Sequence, residues 1–289
     1  MRSALRWLAS NLPPRLVAAL RYRRERLFVN RAREFHGPNR SVIFFTVRKC
    51  ASTMTRHLLA DLAKRHLGLV PLNLAAYLWD VTGEADVYSY LNRNARTLLK
   101  PYGVMYAPLR RYVDISHLEQ PRALVMLRDP RDVVVSAYFS ARYSHRAPAN
   151  RARKARFDMR REALADVAFE DWIRAEALRT REVYSGFRTH LNREQVVTYE
   201  DMWDDFDEWL AQVERLLDVR IPEADRGRYR RLAGVDNRQG EDLRSHRRKG
   251  APGDFRDKLD PPMINELNTL FRDDLCWLYG PDGQFAPRR

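Results

Sequence analysis

The chain has 289 residues, 45% of them hydrophobic, and a formal net charge of +14 carried almost wholly by Arg. That length and apolar content suffice for one large buried core, and no apolar run reaches the roughly 18 residues needed to cross a bilayer. With only Cys50 and Cys276 a disulfide scaffold is excluded, and neither has Cys or His at metal-ligand spacing, so no metal is expected.

Residues 1–40 hold ten Arg against two Glu, which is +8 of the total. Leu5, Leu8, Leu12, Leu16, Val17 and Leu20 recur at helical spacing, interrupted at Pro13-Pro14, and predict two short basic amphipathic helices. Three uses compete for this lead-in: packing on the domain, a peripheral anchor on anionic membrane, or an oligomer contact. The proline pair also breaks any signal-peptide core. The domain proper then runs over 41–289. Residues 41–47 read as a buried strand and 52–66 as a helix. Residues 69–100 read as irregular, with Tyr77, Trp79, Tyr88 and Tyr90 and the acids Asp80, Glu84 and Asp86. A short extended piece at 104–107 precedes Pro108, and a strand at 123–127 leads into a helix at 132–139. The strongly basic stretch 142–161 reads as a mobile surface loop. A helix at 168–187, a strand at 195–198, and helices at 203–218, 222–232 and 261–278 complete the pattern. Strands alternating with helices predict an α/β fold whose central parallel sheet is covered on both faces.

Two segments carry the chemistry. One is Thr46-Val47-Arg48-Lys49-Cys50-Ala51-Ser52-Thr53-Met54, the other Arg128-Asp129-Pro130-Arg131-Asp132-Val133-Val134-Val135-Ser136. Each joins a strand to a helix N-terminus, where backbone N–H groups and the positive end of the helix dipole converge on one point. Two such anion cradles imply a ligand with two separate phosphate-like groups. The basic charge alone would suggest nucleic acid, but no helix-turn-helix, zinc-finger or aromatic RNA-binding pattern accompanies it, so no nucleic acid partner is expected. A nucleotide-dependent phosphotransferase is a weaker alternative, because there is no Gly-x-x-x-x-Gly-Lys-Ser/Thr loop and no clear acid for Mg²⁺.

Both segments resemble the cofactor loops of the PAPS-dependent sulfotransferases (PAPS is 3′-phosphoadenylyl sulfate; its product is PAP). Those loops read roughly Thr-Tyr-Pro-Lys-Ser-Gly-Thr-Thr-Trp and Arg-Asn-Pro-Lys-Asp-Val-Ala-Val-Ser. Arg248-Lys249-Gly250-Ala251-Pro252-Gly253-Asp254-Phe255 is similar to the family's Arg-Lys-Gly-x-x-Gly-Asp-Trp loop, and Tyr199-Glu200-Asp201 is a fourth match in the right order. The resemblance spans residues 41 to 258 and implies a single P-loop-like domain. It also implies that Arg48, Lys49, Ala51, Ser52, Thr53 and Met54 form the 5′-phosphate loop, with Lys49 at the leaving group. Arg128 and Ser136 would hold the 3′-phosphate, Arg248, Lys249 and Gly250 would close over it, and Tyr199 would sit by the adenine. For Arg128 the competing use is a structural ion pair with Asp129 or Asp132, and for Tyr199 a place in the core.

Three departures stand out. Ala51 replaces the usual Gly and resists positive φ. Met54 replaces a Trp that stacks on adenine. Tyr106 occupies the place of the catalytic His before Pro108, and a phenol is a poor base at neutral pH. Several Golgi carbohydrate and tyrosine sulfotransferases use a carboxylate from the segment after the first helix instead, and that resemblance implies Asp80 as the base, with Glu84 and Asp86 in reserve. The competing readings are a plain surface acid at Asp80 and a Tyr106 activated by Arg110 or Arg111. Without a base, the chain would be a catalytically weak PAP/PAPS-binding protein. The expected acceptor is a small molecule, a sugar or a lipid headgroup bearing a hydroxyl or amine. The expected location is cytoplasmic, with peripheral attachment at the inner membrane surface as an option.

Overall fold

The computed structural model describes residues 18, 20–31, 37–82, 84, 86–119, 121–144, 158–159, 161–164, 166–234 and 251–285. Helix α1 (Arg23–Asn30) precedes strand β1 (Val42–Thr46), helix α2 (Ser52–His66) and strand β2 (Val70–Leu72). Helix α3 (Leu74–Tyr77), a π-helical turn (Leu78–Thr82), α4 (Val87–Arg93) and α5 (Ala95–Leu98) lead to β3 (Val104–Leu109). Strand β4 (Arg122–Leu127) runs into α6 (Pro130–Phe139), and the long α7 (Phe169–His190) is followed by β5 (Val196–Thr198). Helices α8 (Tyr199–Asp204), α9 (Phe206–Leu217), α10 (Glu223–Ala233), α11 (Phe255–Lys258), α12 (Pro261–Leu270) and α13 (Arg272–Tyr279) complete the order.

The five strands form one parallel sheet in the order β2-β3-β1-β4-β5. Ile43 and Phe45 of β1 face one core with Tyr106, Val125 and Leu127, under Phe28 of α1 and Tyr184 and Phe187 of α7. Val42 and Phe44 face a second core with Met105, Leu124 and Met126, under Leu58 and Leu62 of α2 and Trp209 and Val213 of α9. Burial on both faces is why these strands are unbroken apolar runs without alternation. From β1 the chain moves to β2 on one side, and from β3 it crosses to β4 on the other. The reversal lies between β1 and β4, whose carboxyl ends flank the crevice where sheets of this kind bind ligands.

Where the sequence suggested irregular chain over 69–100, the protein builds β2 and three short helices. Asn73 Oδ1 accepts the Ala76 N–H at 3.1 Å and Asp86 Oδ1 accepts the Ser89 N–H at 3.1 Å, so each of the first two helices is started by its own cap. The helix expected over 203–218 is broken at Asp205, whose carboxylate accepts the N–H groups of Asp207 and Glu208 and starts α9. The expected final helix is likewise two, α12 and α13. Strand β3 extends through Pro108 to Leu109.

Of the basic lead-in, α1 packs on the sheet. Phe28 is buried edge-on to Tyr106, with centroids 6.2 Å apart, and Glu25 accepts the Asn73 N–H at 2.9 Å. Burying Phe28 contributes about 2–3 kcal/mol. Residues 1–17, and 145–157 of the basic stretch, lie outside the described residues. Among the described residues no helix is long and apolar enough to cross a membrane.

Candidate active site

The first loop leaves the centre of the sheet at Thr46 and enters α2 at Ser52. Lys49 and Ala51 both take positive φ, 70° and 49°. A side chain in this region costs about 1–2 kcal/mol per residue, so the glycine missing at 51 is visible as strain. Alternating left-handed residues turn successive N–H groups toward one spot and form an anion-binding concavity. The α2 N-terminus has no side-chain cap, which leaves its first N–H groups to face that spot. Ser52 is buried, Thr53 and Arg48 are exposed, and Met54 is half-buried against the core. Cys50 is fully buried beneath the loop, and burial pushes its thiol far above the ordinary range, so it stays protonated and unreactive. Both cysteines are free.

The second loop follows β4, next to β1. Arg128 is buried and forms an ion pair with Asp132, Nη2 to Oδ2 at 3.1 Å. Its guanidinium lies over the Tyr199 ring, 4.5 Å from the centroid. Nη2 also donates to the Ala251 carbonyl at 3.1 Å, and Nη1 reaches the Lys49 carbonyl at 3.5 Å. Nε has no hydrogen-bond partner among the described residues. Of the two uses that the sequence left open for Arg128, the structure shows the ion pair; the guanidinium also keeps a buried donor without a partner among the described residues. Asp129 caps α6 and pairs with Arg131, whose guanidinium lies over Phe255. Ser136 is half-buried on the same helix.

Asp132 joins this loop to the third. Its Oδ2 accepts the Gly253 N–H at 2.7 Å and its Oδ1 the Phe255 N–H at 3.0 Å. The chain just beyond Gly250 is thereby fastened to the start of α6. Arg248, Lys249 and Gly250 themselves lie outside the described residues. Tyr199 is buried, stacks on Trp203 and carries the Arg128 guanidinium over its ring. The next residue, Glu200, is buried and accepts the Asp129 N–H at 3.0 Å. Burial lifts its carboxyl to about 7, against the pull of Arg128. Tyr184 adds an O–H donated to the Arg128 carbonyl at 2.6 Å.

The two candidate bases part company. Tyr106 is 1% exposed, and its hydroxyl accepts the Lys100 N–H at 2.7 Å. Burial pushes its phenol far above the ordinary range, so the activated-phenol role is withdrawn: neither an acceptor nor solvent reaches it. Asp80 is exposed on the π-helical turn beyond β2, at the carboxyl side of the sheet, and accepts the Tyr22 hydroxyl. His57 lies on α2 with Nε2 facing Arg56 Nη2 at 2.7 Å, and burial and that charge lower its pKa. Among the described residues no group of three or more His, Cys, Asp or Glu gathers to hold a metal.

The structure thus brings Lys49, Tyr199 and Ala251 against Arg128 and leaves Tyr106 in the core. Sequence reasoning missed Asp132 as the fastening point, Glu200 and Tyr184. Asp132 was within the quoted motif, but partners 121 and 123 residues away leave no local trace.

The sulfotransferase domain family matches residues 40–276. This chain belongs to the sulfotransferase family. Among solved structures, this sulfotransferase is similar to a mouse sulfotransferase complexed with PAP: 15% identity, 86% of this chain and 88% of that one, TM-score 0.49. Retinol dehydratase in complex with androsterone and inactive cofactor PAP is 16% identical over 86% and 85%, with a TM-score of 0.46. The sulfotransferase domain from the curacin biosynthetic pathway is 12% identical over 82% and 98%, with a TM-score of 0.38. No curated protein matches the sequence. Sulfuryl transfer is accordingly assigned by the family match and not by these distant likenesses.

Proposed function

We propose that this sulfotransferase uses PAPS and passes its sulfuryl group, in line and without a metal, to a hydroxyl or amine of a small-molecule, sugar or lipid-headgroup acceptor. The observation that carries the choice of cofactor is Arg128, a buried guanidinium beside an aromatic ring with one donor unpartnered among the described residues. A phosphate monoester suits that donor, and the uncapped, strained first loop suits a second phosphate. Bound there, PAPS supplies the activated sulfuryl group.

In this reading Ser52, Thr53 and the first N–H groups of α2 hold the 5′-phosphate, with Arg48, Ala51 and Met54 shaping the loop around it. Arg128 and Ser136 hold the 3′-phosphate, and Arg248, Lys249 and Gly250 close over it. Tyr199 orients the purine through the guanidinium it carries. Lys49 places an ammonium where charge collects on the departing oxygen. Asp80 takes the proton of the acceptor, since the other candidate, Tyr106, is sealed in the core. We place the protein in the cytoplasm. The exposed Arg23, Arg24 and Arg26 with Leu20 and Leu27 support contact of the lead-in with an anionic inner membrane surface.

The test is PAP release from PAPS with a panel of hydroxyl acceptors. The Asp80→Asn variant should lose about 10²–10⁴-fold in kcat with PAP affinity unchanged. Tyr106→Phe should stay within about threefold of wild type, since it removes no group that meets substrate. Full activity in Asp80→Asn removes Asp80 as the base. A folded wild-type protein that binds PAP and never turns over is a binding protein, and the catalytic reading falls.

A further inference from the structure

Arg110 follows β3 directly, and β3 pairs with β1 so that Leu109 lies level with Phe45. Arg110 therefore emerges at the carboxyl edge beside the loop of Arg48 and Lys49. Its backbone N–H is fixed by the Tyr88 hydroxyl at 2.7 Å, and its side chain is half-buried. The charges acting on it most strongly are those of Arg48 and Arg56, beside the protonated Tyr88 phenol and Cys50 thiol, and no carboxylate is among these influences. Burial and the like charges lower its pKa, as burial and Arg21 lower that of Arg56 against the pull of Glu25. The neighbour Arg111 behaves differently: it pairs with Glu182 at 3.0 Å. Among the described residues Arg48, Arg56 and Arg110 form no ion pair.

The cations continue outward. Arg56 lines a groove of about 470 Å³ with Arg21, Arg23, Arg24 and Lys64, where α1 passes α2. Two acids also line it, but both are engaged: Glu25 accepts the Asn73 N–H, and Asp61 receives Arg228 through two bonds of 2.8 and 2.7 Å. Arg56 and Arg110 are half-buried guanidiniums under mutual repulsion that Glu25 offsets in part at Arg56, and an oxyanion between them removes both the repulsion and the desolvation cost. The cofactor phosphates are answered elsewhere, by the first loop and by Arg128.

We infer that the acceptor carries an oxyanionic group, a phosphate or sulfate ester, close to the hydroxyl that is sulfated, and that Arg110, with Arg56, binds that group. This rests on the PAPS reading of the adjoining cradle and names the substrate class of the same site. An uncharged phenol or sterol lacks the feature that this edge is built to hold. Arginine suits the task, because its planar fork meets two oxygens of a phosphate at once.

The experiment is calorimetric titration of phenyl phosphate, with phenol as its uncharged match, into protein saturated with PAP. Wild type should bind phenyl phosphate at one site and phenol far more weakly. Arg110→Gln should lose about tenfold or more of the phenyl phosphate affinity while binding PAP as wild type does. Arg56→Gln, on the more open part of the track, should show a smaller loss in the same direction and guards against a folding defect at 110. A parallel titration with dihexanoyl phosphatidic acid shows whether a lipid headgroup or a soluble ester is preferred; tighter binding of either is consistent with the inference. Failure of PAP to bind would strike the cofactor reading. If PAP binds but phenyl phosphate does not, or binds both variants as it binds wild type, the acceptor inference fails alone. Weakened PAPS with unchanged PAP in Arg110→Gln would assign Arg110 to the travelling sulfuryl group and overturn the inference.

Discussion

Replacing Lys49 with Ala should lower kcat for sulfuryl transfer by about a thousandfold, the loss found when one charged or hydrogen-bonding stabiliser of a developing oxyanion is removed. The backbone predicts that this loss comes without unfolding. Lys49 sits at φ 70° between β1 and α2, and its carbonyl, not its side chain, meets Arg128. Alanine tolerates that φ no better and no worse than lysine, so the strain in the loop is unchanged. Lys49→Gly makes a useful second variant, because it relieves about 1 kcal/mol of strain while removing the same ammonium. Equal loss of rate in both, with denaturant midpoints at or above wild type, would show that the ammonium matters and the loop shape survives. Rates within a few-fold of wild type in either variant would mean that Lys49 does not face the transferred group.

The largest stability effect is expected at Asp132. Asp132→Ala should cost about 3–5 kcal/mol, a large share of the 5–15 kcal/mol that holds a domain together. The carboxylate is 1% exposed and answers three donors: the Arg128 guanidinium and the N–H groups of Gly253 and Phe255. Truncation leaves a buried cation without its counter-charge and two backbone donors unpaired. Saturating PAP should restore part of the loss, since the 3′-phosphate brings negative charge to the same guanidinium. Urea unfolding with and without PAP measures both. A cost under about 1 kcal/mol would show that the contact between α6 and the 251–255 segment is incidental.

What the sequence made legible was the frame that positions this chemistry. Strands β1 and β4 were visible because burial on both faces removes polar residues from them, and α2 because hydroxyls at its start precede a periodic apolar face. The segment over 69–100 was opaque for the opposite reason. Its helices are four to seven residues long, too short for periodicity, and only the caps Asn73 and Asp86 announced them. The break at Asp205 carried the same kind of signal, an acid with its own side chain on the next two N–H groups but one. Tyr106 shows a different limit. Its position relative to Pro108 was readable, yet its burial depends on Phe28 from α1 and on Lys100, and no local pattern reports such contacts. The pairing of Arg128 with Asp132 was among the readable options because the spacing of four is helical. The orphaned Nε, on which the cofactor assignment turns, required the packed structure.

The most direct test of that assignment is calorimetric titration of the wild-type protein with PAP and, separately, with ADP. The two share adenosine and a 5′-phosphate, and only PAP carries the 3′-phosphate that the Arg128 site should recognise. PAP should bind about tenfold to a hundredfold more tightly, the value of one or two charge-assisted hydrogen bonds to a buried donor. Equal affinities, or no binding of PAP by a folded protein, would contradict the account at its centre.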